Sequence, residues 1–182
     1  VQMNMFDRFS GHRFFLELKS ILSEENPLPA IYRLDSFGLL KFLHASIRLD
    51  DRLKTILKET HRSLAWYRLL YLDEDCQNWL VFLLALTEKI KAKHMEAFCN
   101  KFEVPERYRL LLIKEKVVGS KIVKLLNNRT LDSGVSANHR KAKPFLPDDK
   151  KMSLRPKGPP LRPSEVYWLL NGLTTEGLLY LM

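Results

Sequence analysis

Through the first 126 residues, apolar positions recur three and four apart, the period of a helix rather than the alternation of a strand. After Ser10, the residues Phe14, Leu18, Ile21 and Leu22 fall on one face, with Phe15 widening it. The Ser10 hydroxyl is suited to accept from the orphan amides of that helix. Asn26-Pro27-Leu28-Pro29 then breaks the chain, and a second helix carries Ile31, Leu34 and Phe37 up to Gly38, a good residue just past a helix end. Leu39, Leu40, Phe42 and Leu43 follow as a short apolar segment. A longer helix is predicted from Asp50-Asp51, with Leu53, Ile56, Leu57, Leu64 and Tyr67 as its stripe. Asp73-Glu74-Asp75 reads as the start of another, where negative charge complements the helix N-terminus. That helix, Trp79 to Leu86, is apolar nearly all round and is predicted to be the central buried one. Residues 89–102 form a more polar helix around Ile90, Met95, Phe98 and Cys99. Pro105 suits the first turn of the next, whose apolar positions include Leu111, Leu112, Val118, Ile122, Leu125 and Leu126. Lys114, Lys116, Lys121 and Lys124 stand beside that face.

From Asn127 to Pro163 the character changes: six of the nine prolines fall here among many lysines and arginines, and apolar residues are few. This stretch reads as a basic, Pro-rich linker or long surface loop. Pro163-Ser164 then opens a short helix with Val166, Leu169 and Leu170, which Gly172 ends. Thr174 or Thr175 caps a last one with Leu178, Leu179 and Leu181. Period-two alternation and hairpin turn pairs are both missing. The expectation is an all-α fold, an antiparallel array of about seven to eight helices joined by short loops. It divides into a helical segment over 1–45, a helical body over 46–126, the basic stretch 127–162, and the start of a further domain over 163–182.

Composition adds limits. The chain has 182 residues, 46% of them hydrophobic and 28% charged, which is globular usage. No run of about 18 apolar residues exists to span a membrane, and no apolar leader follows Val1. Cys76 and Cys99 lie inside helical patterns and read as reduced thiols of a cytoplasmic protein. Charge changes the picture more. The formal net charge is +9, but residues 1–104 hold 15 Lys+Arg against 14 Asp+Glu, whereas residues 105–182 hold 15 against 7. Such asymmetry suggests a polyanionic partner, most often nucleic acid.

Catalytic constellations are scarce. Asp73 and Asp75 have the Asp-x-Asp spacing that holds paired magnesium ions in polymerases, but there the carboxylates project from a strand soon after a Gly-Ser. Here the surroundings are helical and Gly119-Ser120 lies well downstream, so the pair reads as helix N-terminal charge, as does Asp50-Asp51. The five histidines are scattered, Cys76 has no histidine near it in sequence, and seven glycines build no phosphate-cradling loop. Arg107-Tyr108-Arg109 interleaves charge with an aromatic that could stack on a base. Trp66-Tyr67 and Trp79-Phe82 read as core.

Two segments, in order, resemble a known family. Arg8-Phe9-Ser10-Gly11-His12-Arg13, then Glu17-Leu18 and Ile21-Leu22, is similar to the Arg-x-Ser-Gly-Glu-Arg…Glu-Leu…Ile-Leu signature in the neck of class II tRNA nucleotidyltransferases and bacterial poly(A) polymerases. Asn26-Pro27…Leu34…Phe37-Gly38-Leu39-Leu40 matches the loop that follows it. Arg162-Pro163-Ser164-Glu165-Val166-Tyr167-Trp168-Leu169-Leu170 is similar to the family's Lys-Pro-Ser-Glu-Ile-Tyr-x-Leu-Leu, and Thr175 to Met182 continues that pattern. His12 departs from it, standing where the family usually has Glu. The basic stretch 127–162 is also longer than the family suggests.

The resemblance implies neck, body and part of the tail, in the manner of the C-terminal part of poly(A) polymerase. It implies a cut from a longer enzyme whose β-rich catalytic head, with its Gly-Ser and Asp-x-Asp, would precede Val1. That head would use Mg2+ and ATP or CTP to add C or A to an RNA 3′ end, and this portion would hold the tRNA or other RNA by shape. Arg8, Ser10 and Arg13 would hold the neck helix under the head. The candidate phosphate contacts are Lys114, Lys121, Lys124, Arg129, Arg140, Lys141, Lys143, Lys150, Lys151 and Arg155. The alternative is a non-catalytic helical protein-interaction module whose basic stretch is a tether. The sequence leaves the oligomeric state open, and assigns no catalytic or metal-binding residue to this chain.

Overall fold

A computed structural model describes residues 10–72, 76–128 and 162–182. Arg8 and the basic positions Arg129, Arg140, Lys141, Lys143, Lys150, Lys151 and Arg155 lie outside the described residues, as do Asp73 and Asp75. Within the described residues the fold is all-α, with nine helices and no strand. These are α1 (Gly11–Leu22), α2 (Leu28–Ser36), α3 (Leu39–Leu43), α4 (Asp51–Arg68), α5 (Asn78–Leu86), α6 (Ala92–Lys101), α7 (Glu106–Asn128), α8 (Pro163–Leu170) and α9 (Thr175–Leu181). The short apolar segment after Gly38 is itself a helix, α3, which accounts for the ninth.

The starts follow from side-chain chemistry. The Ser10 hydroxyl accepts from the Arg13 amide at 3.2 Å, the Asp50 carboxylate from the Leu53 amide at 2.9 Å, and the Thr174 hydroxyl from the Gly177 amide at 3.3 Å. Lys89 also bonds to Asp50. With these bonds that carboxyl is held below its usual range. Gly38 sits at φ +73°, in the left-handed region that ends α2 and releases the chain into α3. α5 begins at Asn78 with Gln77 as its N-cap, and the acidic triplet expected to start it lies outside the described residues.

Every residue of α5 from Trp79 to Leu86 is buried. It has no polar face because α1, α4 and α9 all lie against it. The core runs from Phe15, Leu18 and Leu22 of α1 through Leu57 and Leu64 of α4 to Leu179 of α9. An aromatic cluster ties α1, α3 and α6 together: the Phe14 ring lies 5.2 Å from that of Phe42 and 5.4 Å from that of Phe102. Trp66, read as core, is half exposed while its neighbour Tyr67 is buried, and Phe37, placed on the stripe of the second helix, is exposed as well.

Two glycines are fixed by close approach. A Cβ on Gly11 would stand 2.1 Å from the Lys101 carbonyl oxygen, so α1 and α6 meet there backbone to backbone. A Cβ on Gly177 would stand 1.8 Å from Glu115 Oε2. We expect Gly11→Ala to cost about 1–3 kcal/mol as the two helices part. Gly172→Ala, whose added carbon meets nothing within 4 Å, is the control. Urea unfolding of the two variants beside the parent checks this; equal midpoints would contradict the contact.

Candidate nucleic-acid interface

Of the three candidate lysines within the described residues, all lie on α7 and all are exposed. Arg107, Lys114 and Lys121 succeed one another at intervals of seven, close to two helical turns, so they form a row, and Lys124 extends it by one more turn. At 1.5 Å per residue, the row from Arg107 to Lys124 is about 25 Å long. Lys114, Lys121 and Lys124 form no ion pair with a described residue. The row holds its charge away from the core, and it is the part of the basic half that the structure brings together.

Arg109 is not part of it. Its guanidinium bonds to Asn100 at 3.2 Å and pairs with Glu106 at 3.6 Å. Tyr108 is not an open stacking platform either. Its ring packs edge to face with Trp79 at 4.8 Å, and the Lys19 ammonium covers it at 5.2 Å. In the neck-like segment, Ser10 caps α1, while Arg13 is exposed on the next turn at the edge of an apolar cleft with Phe14, Leu18 and Leu34.

The inner face of α7 carries two charges that the sequence alone does not single out as sites. Glu115 is buried; its Oε1 accepts from the Thr174 amide at 3.1 Å, which ties α7 to the start of α9. Its Oε2 has no hydrogen-bond partner among the described residues, and burial pushes this carboxyl above the usual range. Lys116, also buried, donates to the Leu84 carbonyl at 3.2 Å and the Thr87 carbonyl at 2.6 Å at the end of α5, sharing the first with the Thr87 hydroxyl and the second with the Ile90 amide. Burial pushes this ammonium down to about 7, against a weaker opposing pull from Glu88. The signal for it was the spacing Leu112, Lys116, Gly119, Ile122, a buried stripe with a lysine in it.

Neither cysteine is activated. Burial pushes the Cys76 thiol up to about 12 and the Cys99 thiol up to about 11. Among the described residues no three His, Cys, Asp or Glu side chains are placed to hold a metal ion, and no helix is long and apolar enough to cross a membrane.

Over its whole length the chain is 31% identical to part of an A-adding tRNA nucleotidyltransferase of Geobacter sulfurreducens. The chain is related to one region of a tRNA nucleotidyltransferase. It spans 18% of that relative's length. No family model matches the chain, and no solved structure matches it.

The depressed Lys116 has a consequence for stability. Unfolded, a lysine keeps its proton up to about pH 10.5; folded, Lys116 loses it near 7. Between these values the unfolded state binds more protons, so stability rises with pH. The thiols act in the opposite sense only from about pH 9 upward. We expect the melting temperature to climb from pH 7 to 9 and the climb to flatten in Lys116→Met. A parent curve that is flat or falling over that window would contradict the burial of the charge.

Proposed function

We propose that this chain is an RNA-gripping helical part of a tRNA nucleotidyltransferase, of the A-adding or CCA-adding kind or a poly(A) polymerase. In this reading it holds the RNA while a catalytic head uses Mg2+ and ATP or CTP to extend the 3′ end. The whole-chain similarity to an A-adding tRNA nucleotidyltransferase supports the enzyme class. The observation that carries the grip is the exposed row on α7. Cations spaced along one rigid helix suit the phosphates of a folded RNA, which are read by shape and position rather than by base edge. The basic positions from Arg129 to Arg155 belong to the same proposal, as does the role of Arg8, Ser10 and Arg13 beneath the head.

Phosphate contact makes affinity depend steeply on salt. If six contacts form, binding of tRNA should weaken by roughly 10³-fold between 50 and 200 mM salt. Reversing Lys114 and Lys121 to Glu should weaken it by a further tenfold or so and lessen the salt slope. Gel shifts with tRNA, with heparin as an equally charged competitor, read all of this. A flat salt dependence, or equal displacement by heparin and by folded tRNA, would favour the protein-interaction module instead.

A further inference from the structure

A second basic feature lies behind the exposed row. The turn from Glu88 to Ala92, the inner flank of α7 and the end of α9 enclose an open cavity of about 530 Å3. Lys116 forms its floor and is only 6% exposed. An ammonium has three donors. Two are spent on Leu84 and Thr87, and no further oxygen among the described residues takes the third, though the ammonium also lies 5.3 Å from the centre of the Tyr180 ring. Lys91 and Lys124 stand at the rim, exposed and without an ion pair among the described residues.

The other charges in the wall are already compensated. Glu88 is drawn to Arg52 at 2.7 Å, and Lys89 is bonded to Asp50. Three cations therefore remain around one opening, at depths from floor to rim. Lys91, the N-cap of α6, lends no side chain to the first amides of that helix, which adds to the positive field at Ala92. Most of the rest of the wall is apolar, from Ile90, Val123, Leu181 and the Tyr180 ring, with Ser120 as a further polar group.

From this cavity we infer a binding site for a phosphate ester. The phosphate, with three acceptor oxygens and close to two negative charges, matches Lys116, Lys91 and Lys124. The apolar wall leaves room for the group that the phosphate esterifies, since ligand pockets of about 300–1,000 Å3 are of this kind. The inference shares Lys124 with the exposed row, and Lys91 and Lys116, which lie outside that row, keep it separable from the RNA reading, whose variants are at Lys114 and Lys121.

Binding is coupled to a proton. The groups facing Lys116 are Glu88 and Lys89 from the turn, Lys91 at the start of α6, and Tyr180 from α9, with Arg52 of α4 behind Glu88 and Glu115 and Lys124 on its own helix. Tyr180 is pushed up to about 12 by burial and stays neutral. Lys116 is the one brought to about 7. An arriving anion restores its proton, so affinity falls as pH rises from 6.5 to 8.5. Sulfate, whose own charge is constant over this range, is the probe for that arm.

Calorimetric titration of the full chain with inorganic phosphate, at constant ionic strength, tests the site. The expected result is saturable binding, weakened about tenfold or more in Lys91→Ala/Lys124→Ala, a rim variant that melts at the parent temperature without ligand. Sulfate should bind more tightly at pH 6.5 than at 8.5. Absence of saturable binding, equal binding in the rim variant, or pH-independent sulfate binding would overturn the inference. Displacement of the bound phosphate by a short RNA oligonucleotide assigns the ester to an RNA backbone, and displacement by AMP but not by the oligonucleotide assigns it to a free mononucleotide. Displacement by neither would overturn the ester assignment.

Discussion

A helix with no polar face can exist in water only if everything around it is protein and both of its ends are answered. α5 is such a helix, and the fold is arranged around meeting its needs. Its sides are covered by α1, α4 and α9. At its start, the Gln77 amide donates to Glu176 of α9 at 3.2 Å. At its end, the carbonyls of Leu84 and Thr87 accept from Lys116 of α7. Negative charge at the N-terminus and positive charge at the C-terminus also suit the helix dipole. An unanswered amide at the start would cost about 1–3 kcal/mol, while at the end the Thr87 hydroxyl and the Ile90 amide share the two carbonyls with Lys116.

The same constraint shapes α7. One long helix serves two environments, with cations of the row turned outward and Glu115 and Lys116 turned in. Glu115 fixes where α9 begins, and Gly177 is there because a side chain would strike that carboxylate. Lys116 answers α5 and, from its other side, looks into a cavity. A charge recruited to finish a helix is thereby also presented to whatever enters that cavity.

Much of this was legible in the sequence, for reasons that are local. Ser10, Asp50, Thr174 and Gly38 act on residues within three or four positions of themselves, so their roles can be read from their neighbours. The burial of α5 was legible because a run without polar residues admits no exposed face. The stripe Leu112, Lys116, Gly119, Ile122 hints that Lys116 is buried, but the partners of Glu115 and Lys116 were not legible, because Lys114-Glu115-Lys116 looks like an ordinary charged surface run. Their partners lie 59 and about 30 residues away, and only the tertiary fold brings them near. Trp66 misled for the opposite reason, since an aromatic next to a buried tyrosine falls on the next face of the helix and, in α4, that face is open. The row on α7 could be anticipated as lysines but not as a row until the turn of the helix set Lys114 and Lys121 in line.

The bond between Gln77 and Glu176 joins residues 99 positions apart. A ribosome adding about 5–20 residues per second therefore makes the most apolar helix of the chain about 5–20 s before it makes the carboxylate that completes that helix's start. During that interval the nascent α5 has α1 and α4 for company but lacks α9. The order of synthesis thus gives this protein a window in which its greasiest segment is incompletely covered, and in which a chaperone would have most to hold.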